Sequence, residues 1–293
     1  MISVEKLHKE GISAFQAGNV NEAISLLKQA IKIGEAEPSV YANLGVFQRQ
    51  NGDLKTACFN LEVAAERAPG NADFIYNLAL VYNDLGKVDL AEKKYELAIS
   101  IRPAMASALN NLGNIQKYRK NYDGAITNYR QAIKADANYV SAYKNLADVF
   151  ETAGMADIAK ETYSSAISLR PDTGTRIREA LVLPIIPESK DHIVECREQL
   201  HKKLDRLLDD ELDLEDPLRE VGATNFLLAY HGLNDREIQE KIARVYLKAC
   251  PNLAFVAPHT QSWMAGLEGG IPRVGFISSF FHEHTIAKLY TNL

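Results

Sequence analysis

The sequence has little with which to cross a membrane, build a disulfide framework or grip a nucleic acid. No run of apolar residues among its 293 approaches the roughly 18 that a spanning helix needs. The opening residues, Met1-Ile2-Ser3-Val4-Glu5-Lys6, lack an apolar core of signal-peptide length. Only three cysteines occur, Cys58, Cys196 and Cys250, far apart and with no Cys-x-x-Cys pair. That spacing excludes a disulfide framework and reads as a reducing, cytoplasmic setting. Basic residues number 33 against 38 acidic ones, a net charge of −5, and no basic stripe marks a nucleic-acid face. There is no Gly-rich phosphate loop, no Gly-x-Ser-x-Gly elbow and no zinc-helix motif. Neither nucleic acid nor membrane is expected as a partner, and no cofactor or metal is expected on this chain.

What the chain does have is a period. An Asn-Leu-(Gly/Ala) triplet recurs every 34 residues: Asn43-Leu44-Gly45, Asn77-Leu78-Ala79, Asn111-Leu112-Gly113 and Asn145-Leu146-Ala147. Units set to begin at Val4, Pro38, Ala72, Ala106 and Val140 align column by column. The eighth column is small (Gly11, Gly45, Ala79, Gly113, Ala147) and the twentieth is alanine throughout (Ala23, Ala57, Ala91, Ala125, Ala159). The twenty-fourth is large (Leu27, Leu61, Tyr95, Tyr129, Tyr163) and the twenty-seventh again alanine. Columns 4, 7, 8 and 11 share one face of a first helix, and columns 20, 24 and 27 one face of a second. Gly18, Gly52, Gly86 and Gly154 fall where the first helix stops in a left-handed residue; Lys120 replaces that glycine in unit four, where strain is expected. Pro69, Pro103 and Pro171 close the second helices. A single unit cannot bury its own apolar stripe, so neighbours must stack, with first helices lining a concave wall. Glu10, at a column where leucine is expected, makes unit one the solvent-facing cap.

After Pro171 the period breaks. Ser189 reads as the cap of a long amphipathic helix with Ile193, Cys196, Leu200, Leu204 and Leu207 on one face. The acidic stretch from Asp209 to Asp216 reads as a solvated turn. Asn234 with Glu237 three residues on predicts a capping box opening a helix that ends at Pro251. Residues 257–272 read as a loop, and Arg273-Val274-Gly275-Phe276-Ile277-Ser278-Ser279 as a short buried strand followed by a helix, the opening of a β-α unit. The fold expected is all-α: a superhelix over residues 1–173, a helical linking region over 174–256, and a loop with the start of an α/β lobe over 257–293.

The columns of residues 4 to about 173 resemble the tetratricopeptide repeat. The strand and the loop Phe280-Phe281-His282-Glu283-His284, together with Asn225-Phe226-Leu227-Leu228-Ala229-Tyr230-His231-Gly232-Leu233-Asn234-Asp235 and Ala257-Pro258-His259, resemble the catalytic start and linker of O-GlcNAc transferases and Spindly-type relatives. That resemblance implies a two-lobed glycosyltransferase parent of the GT-B type that moves N-acetylglucosamine from UDP-GlcNAc onto Ser/Thr of proteins. This chain would recognise the acceptor and, without a donor-binding lobe, would be inactive alone. The resemblance places His284 in the parent's cleft; Phe280 stands where many members carry Asp, and Thr285 where many carry Pro. It also implies that the ladder Asn43, Asn77, Asn111 and Asn145 grips the backbone of an extended acceptor peptide, since an amide both donates and accepts. Asparagine is common at this column of such repeats generally, so a structural role stays open. Tyr76, Asn83, Asn110, Asn114, Lys117, Tyr118 and Lys144 are further candidates for the inner wall. His282-Glu283-His284 lacks a third metal ligand, and His231 and His259 read as hydrogen-bonded loop histidines. A non-catalytic adaptor is the competing reading, and a homo-oligomer is left open.

Overall fold

The computed structural model describes residues 3–223 and 225–254. Ten helices alternate through the repeats: α1 (Val4–Gln16), α2 (Val20–Ile33), α3 (Pro38–Gln50), α4 (Leu54–Arg67), α5 (Ala72–Asp84), α6 (Val88–Ile101), α7 (Ala106–Tyr118), α8 (Tyr122–Ala135), α9 (Val140–Thr152) and α10 (Ala156–Leu169). Each expected unit start is the first residue of an odd-numbered helix. Local chemistry sets several of these boundaries. The Asn71 side chain accepts from the backbone N–H groups of Asp73 and Phe74, and the Asn121 side chain from that of Gly124. Pro38 opens α3 at a position where its missing N–H costs nothing.

Packing follows the columns. The alanines of columns 20 and 27 are fully buried, and Leu27, Leu61, Tyr95, Tyr129 and Tyr163 are buried between them. The small eighth column lets the paired helices approach: a Cβ on Gly45 would lie 2.6 Å from Leu61 Cγ, and one on Gly113 2.6 Å from Tyr129 Cε1. The four glycines expected to end first helices all have positive φ, and Lys120 has φ 61°, the only non-glycine residue in that region among the described residues. A side chain there costs about 1 kcal/mol or more. Lys120→Gly is therefore expected to raise the thermal midpoint by a few degrees, read by circular dichroism; an unchanged or lower midpoint would remove strain as the explanation.

First helices share one wall. Helices α1 and α3, α3 and α5, and α7 and α9 approach each other, whereas no two second helices pack as closely. Curvature toward the first-helix side is what stacking these hairpins produces.

Beyond the repeats, α11 (Thr173–Leu181) packs on α10, and α12 (Lys190–Asp209) packs on α11 and on α14 (Arg236–Ala249). A short helix, α13 (Pro217–Glu220), and a 3-10 turn, Phe226–His231, lie between α12 and α14. Their core joins Ile177, Cys196, Leu200, Leu204, Leu228, Ile238, Ile242 and Val245. Ser189 caps α12 as its sequence predicts, accepting from the His192 N–H. The capping box at Asn234 does not form. Helix α14 begins at Arg236, Asn234 Oδ1 accepts from the Arg236 N–H, and the carboxylate of Asp235 is held by Arg197 at 2.5 Å. A charged partner on α12 outcompetes the local cap. The acidic stretch is exposed except at half-buried Leu212 and buried Leu214, and Asp210 pairs with Arg176. The residues Pro251–Ala254 form a separate 3-10 turn. No strand occurs among the described residues. The expected β-α unit at 273–293, with His284, and His259 lie outside the described residues.

Candidate functional site

The asparagine column occupies the wall, and the structure shows how most of it is spent. Asn43 Nδ2 donates to His8 Nε2 at 2.8 Å, Asn111 Nδ2 to the Tyr76 hydroxyl at 3.2 Å, and Asn145 Nδ2 to Asn110 Oδ1 at 2.9 Å. In each case the partner sits in the fifth column of the preceding unit. The ladder is thus a row of struts from unit to unit. Asn77 differs because the fifth column of the unit before it holds Ala42, which offers no polar atom. Its amide has no side-chain partner among the described residues and is half-buried on the wall. Desolvation holds His8 below its ordinary pKa, which suits the neutral ring that accepts from Asn43.

The other candidates divide. Asn110 is buried and committed to Asn145, so it faces a neighbouring unit rather than solvent. Its column predicted wall exposure, but the close approach of α7 and α9 covers it. Tyr76 is half-buried, its ring 5.9 Å from that of Tyr95. Lys117 pairs with Asp148 at 3.0 Å and Lys144 with Asp172 at 2.8 Å. Asn114 is exposed and accepts from the Tyr129 hydroxyl at 2.8 Å.

Two cavities collect these residues. The first, about 310 Å³, lies across units two to four and joins Asn83, Asn111, Asn114 and Tyr118 with Leu80 and the Arg49–Asp84 pair. That pair spans 2.5 Å between α3 and α5. Tyr118 stands at its rim, 82 % exposed. The second, about 460 Å³, lies where unit five meets α11 and α13 and takes in Lys144 and Asn145. Asn43 and Asn77 line neither. Arg49, Asp84, Asp148 and Arg178 were not singled out by the sequence. The ninth column held the signal: Ile12, Val46 and Leu80 give way to Asn114 and Asp148, polar groups at a column otherwise apolar.

His231 departs from expectation. It is buried, and neither ring nitrogen has a hydrogen-bond partner among the described residues. Burial, then the positive charge of Arg197 on α12, push its pKa below the ordinary value, with Asp235 at the start of α14 pulling the other way. A histidine with its folded pKa lowered leaves stability unaffected well above the unfolded pKa of about 6.5. It removes stability as the pH falls from that value toward the folded pKa. The thermal midpoint is expected to fall between pH 7 and pH 5, and less so in His231→Phe; parallel profiles would assign the loss to other groups.

Tetratricopeptide repeat family models match residues 8–58, 72–105 and 113–154. Solved structures agree in fold. A tetratricopeptide repeat protein from Parabacteroides merdae is 19% identical, covers 89% of this chain and 97% of its own, and superposes with a TM-score of 0.58. MamA from Desulfovibrio magneticus RS-1 is 17% identical over 57% of this chain and 94% of its own, TM-score 0.52. A thermophilic TPR protein from Thermus thermophilus is 20% identical over 61% of this chain and 97% of its own, TM-score 0.50. No curated protein matches.

Proposed function

We propose that this chain, a tetratricopeptide repeat protein, is an interaction scaffold that holds an extended segment of a partner protein along the wall of first helices. The observation that carries this reading is the cavity of about 310 Å³ across units two to four. Apolar Leu80, Val88 and Ile115 lie there beside amides and an ion pair, with the large side chain of Tyr118 projecting into solvent. Mixed polarity suits a polypeptide, which needs both apolar contact and amide partners, more than a lipid. Asn77, left without an intramolecular side-chain partner among the described residues, is the ladder amide best placed to bond a bound backbone.

The test is a random peptide library panned on the purified chain, with affinities of the selected peptides measured by fluorescence polarisation. Asn77→Ala is expected to weaken binding about 5- to 10-fold and Tyr118→Ala about tenfold or more, as for a central aromatic anchor. Both should leave the thermal midpoint unchanged. Selected peptides that bind both variants as tightly as the parent would rule out this wall. A cytoplasmic setting fits with it, since the three cysteines are free and buried.

The motif at 273–284 favours a finer reading, in which the bound segment is the acceptor of a UDP-GlcNAc-dependent protein glycosyltransferase and His284 belongs to its cleft. It rests on sequence resemblance alone. Turnover of UDP-GlcNAc by this chain by itself would contradict the inactivity that this reading assigns to it.

A further inference from the structure

The cavity at the end of the repeat stack has an uneven charge inventory. Each of its acids accepts at least one hydrogen bond, and two of the three pair with cations. Asp148 accepts from Lys117 at 3.0 Å and from the Tyr163 hydroxyl at 2.5 Å, and pairs with Arg178 at 3.0 Å. Asp172 pairs with Lys144 and accepts from the Thr175 hydroxyl and N–H. One oxygen of Glu220 accepts the N–H groups of Glu215 and Asp216. Its cations are not all engaged. Lys144 and Arg178 are the partners just named, but Arg170 and Arg219 have no carboxylate, carbonyl or ring partner among the described residues.

Most described arginines of this protein do have such a partner. Arg49, Arg102, Arg119, Arg176, Arg178, Arg197 and Arg236 each hold a carboxylate. Arg67 donates to the Ala36 carbonyl, and Arg130 lies over the Phe150 ring. Of the described arginines only Arg170, Arg206, Arg219 and Arg244 lack such a partner. Two of these four, from the turn after α10 and from α13, line the same cavity of about 460 Å³. Two unpaired guanidinium forks around a space of that size match a bidentate oxyanion. The same cavity includes Lys144 and Asn145 of the fifth unit's first helix, so it continues the wall on which a partner segment would lie.

We propose that this cavity binds a peptide oxyanion, a carboxylate or a phosphate carried by the held segment, with Arg170 and Arg219 as its ligands. The site rests on the scaffold reading for the source of its ligand. Its test is independent of that reading, because the probes are too short to span the wall. N-acetyl-Ala-Glu-Glu-Ala-amide is titrated into the full chain at constant ionic strength. The analogues with Gln or with phosphoserine in place of each Glu are titrated alongside. The arginine Nε–Hε signals are followed by NMR. The Glu peptide, the phosphoserine peptide or both are expected to shift the signals of Arg170 and Arg219, and the Gln peptide to leave them in place. Which of the two acts identifies the oxyanion. The double variant R170Q/R219Q is expected to lose about 5- to 10-fold in affinity for the active probe. The control R206Q/R244Q, which removes the other two unpaired arginines, should lose nothing. Shifts with no probe, equal shifts with the Gln peptide, or equal losses in both double variants would overturn the proposal. Panned peptides that depend on neither Tyr118 nor Asn77 would overturn the scaffold reading and leave this titration to be judged by itself.

Discussion

Tyr129→Ala is expected to destabilise the repeat stack by about 3–5 kcal/mol, the range for removing a large ring from a packed core. The ring is fully buried in column 24, pressed against Gly113, and its hydroxyl donates to Asn114 at 2.8 Å. Nothing nearby can collapse into the space, because the neighbours in columns 20 and 27 are alanines. Tyr129→Phe keeps the ring and removes only the hydrogen bond, so it should cost about 1 kcal/mol. Urea unfolding followed by circular dichroism separates the two. Repeat stacks transmit stability through neighbouring units, so a lowered denaturant slope in Tyr129→Ala would mark local melting around α7 and α8. A loss below about 1 kcal/mol for the alanine variant would show that the column does not carry the packing assigned to it.

Asp148→Ala should rank next, at about 3 kcal/mol. Its carboxylate is mostly shielded, 18 % exposed, and it ties three elements together: Lys117 of unit four, Tyr163 of unit five and Arg178 of α11. Burial, with the charge of Asp148 beside it, pushes the Tyr163 phenol well above its ordinary pKa, so the hydroxyl stays protonated and donates. Removing the carboxylate leaves Arg178 with Glu151 at 3.4 Å as its one remaining carboxylate, beside the Val221 carbonyl at 3.3 Å, and a buried hydroxyl with a single longer bond of 3.2 Å. Asp148→Asn keeps the shape and the hydroxyl's acceptor but loses the charge, and should cost less. If the alanine variant unfolds at the same urea concentration as the parent, the network does not couple the repeats to α11.

The same residue marks where sequence reasoning reached its limit. Periodicity placed the five unit starts, the left-handed column that includes Lys120, and the alternation of alanine with Leu or Tyr in the second helices. All of these follow from steric rules within 34 residues: a helical face must be apolar, a paired face must be small, and a turn must admit positive φ. The Asn column was also visible, and so was its position on the first helix. Its partners were not, because each bond runs to another unit and depends on what the fifth column happens to hold: His8, Tyr76 and Asn110, or Ala42, which leaves Asn77 without a side-chain partner among the described residues.

The amino-acid order by itself therefore determined the repeat, its five units and the wall that the first helices form, since each is a local consequence of side-chain size and spacing. Only the tertiary structure decided which polar groups on that wall are already satisfied and which remain to meet a partner. It buried Asn110, gave Asp235 to Arg197 instead of to its own helix, and left Arg170 and Arg219 facing one cavity. Hydrogen bonds and ion pairs are settled by which groups come within about 3 Å of one another, and that distance is a property of the stack rather than of any one repeat.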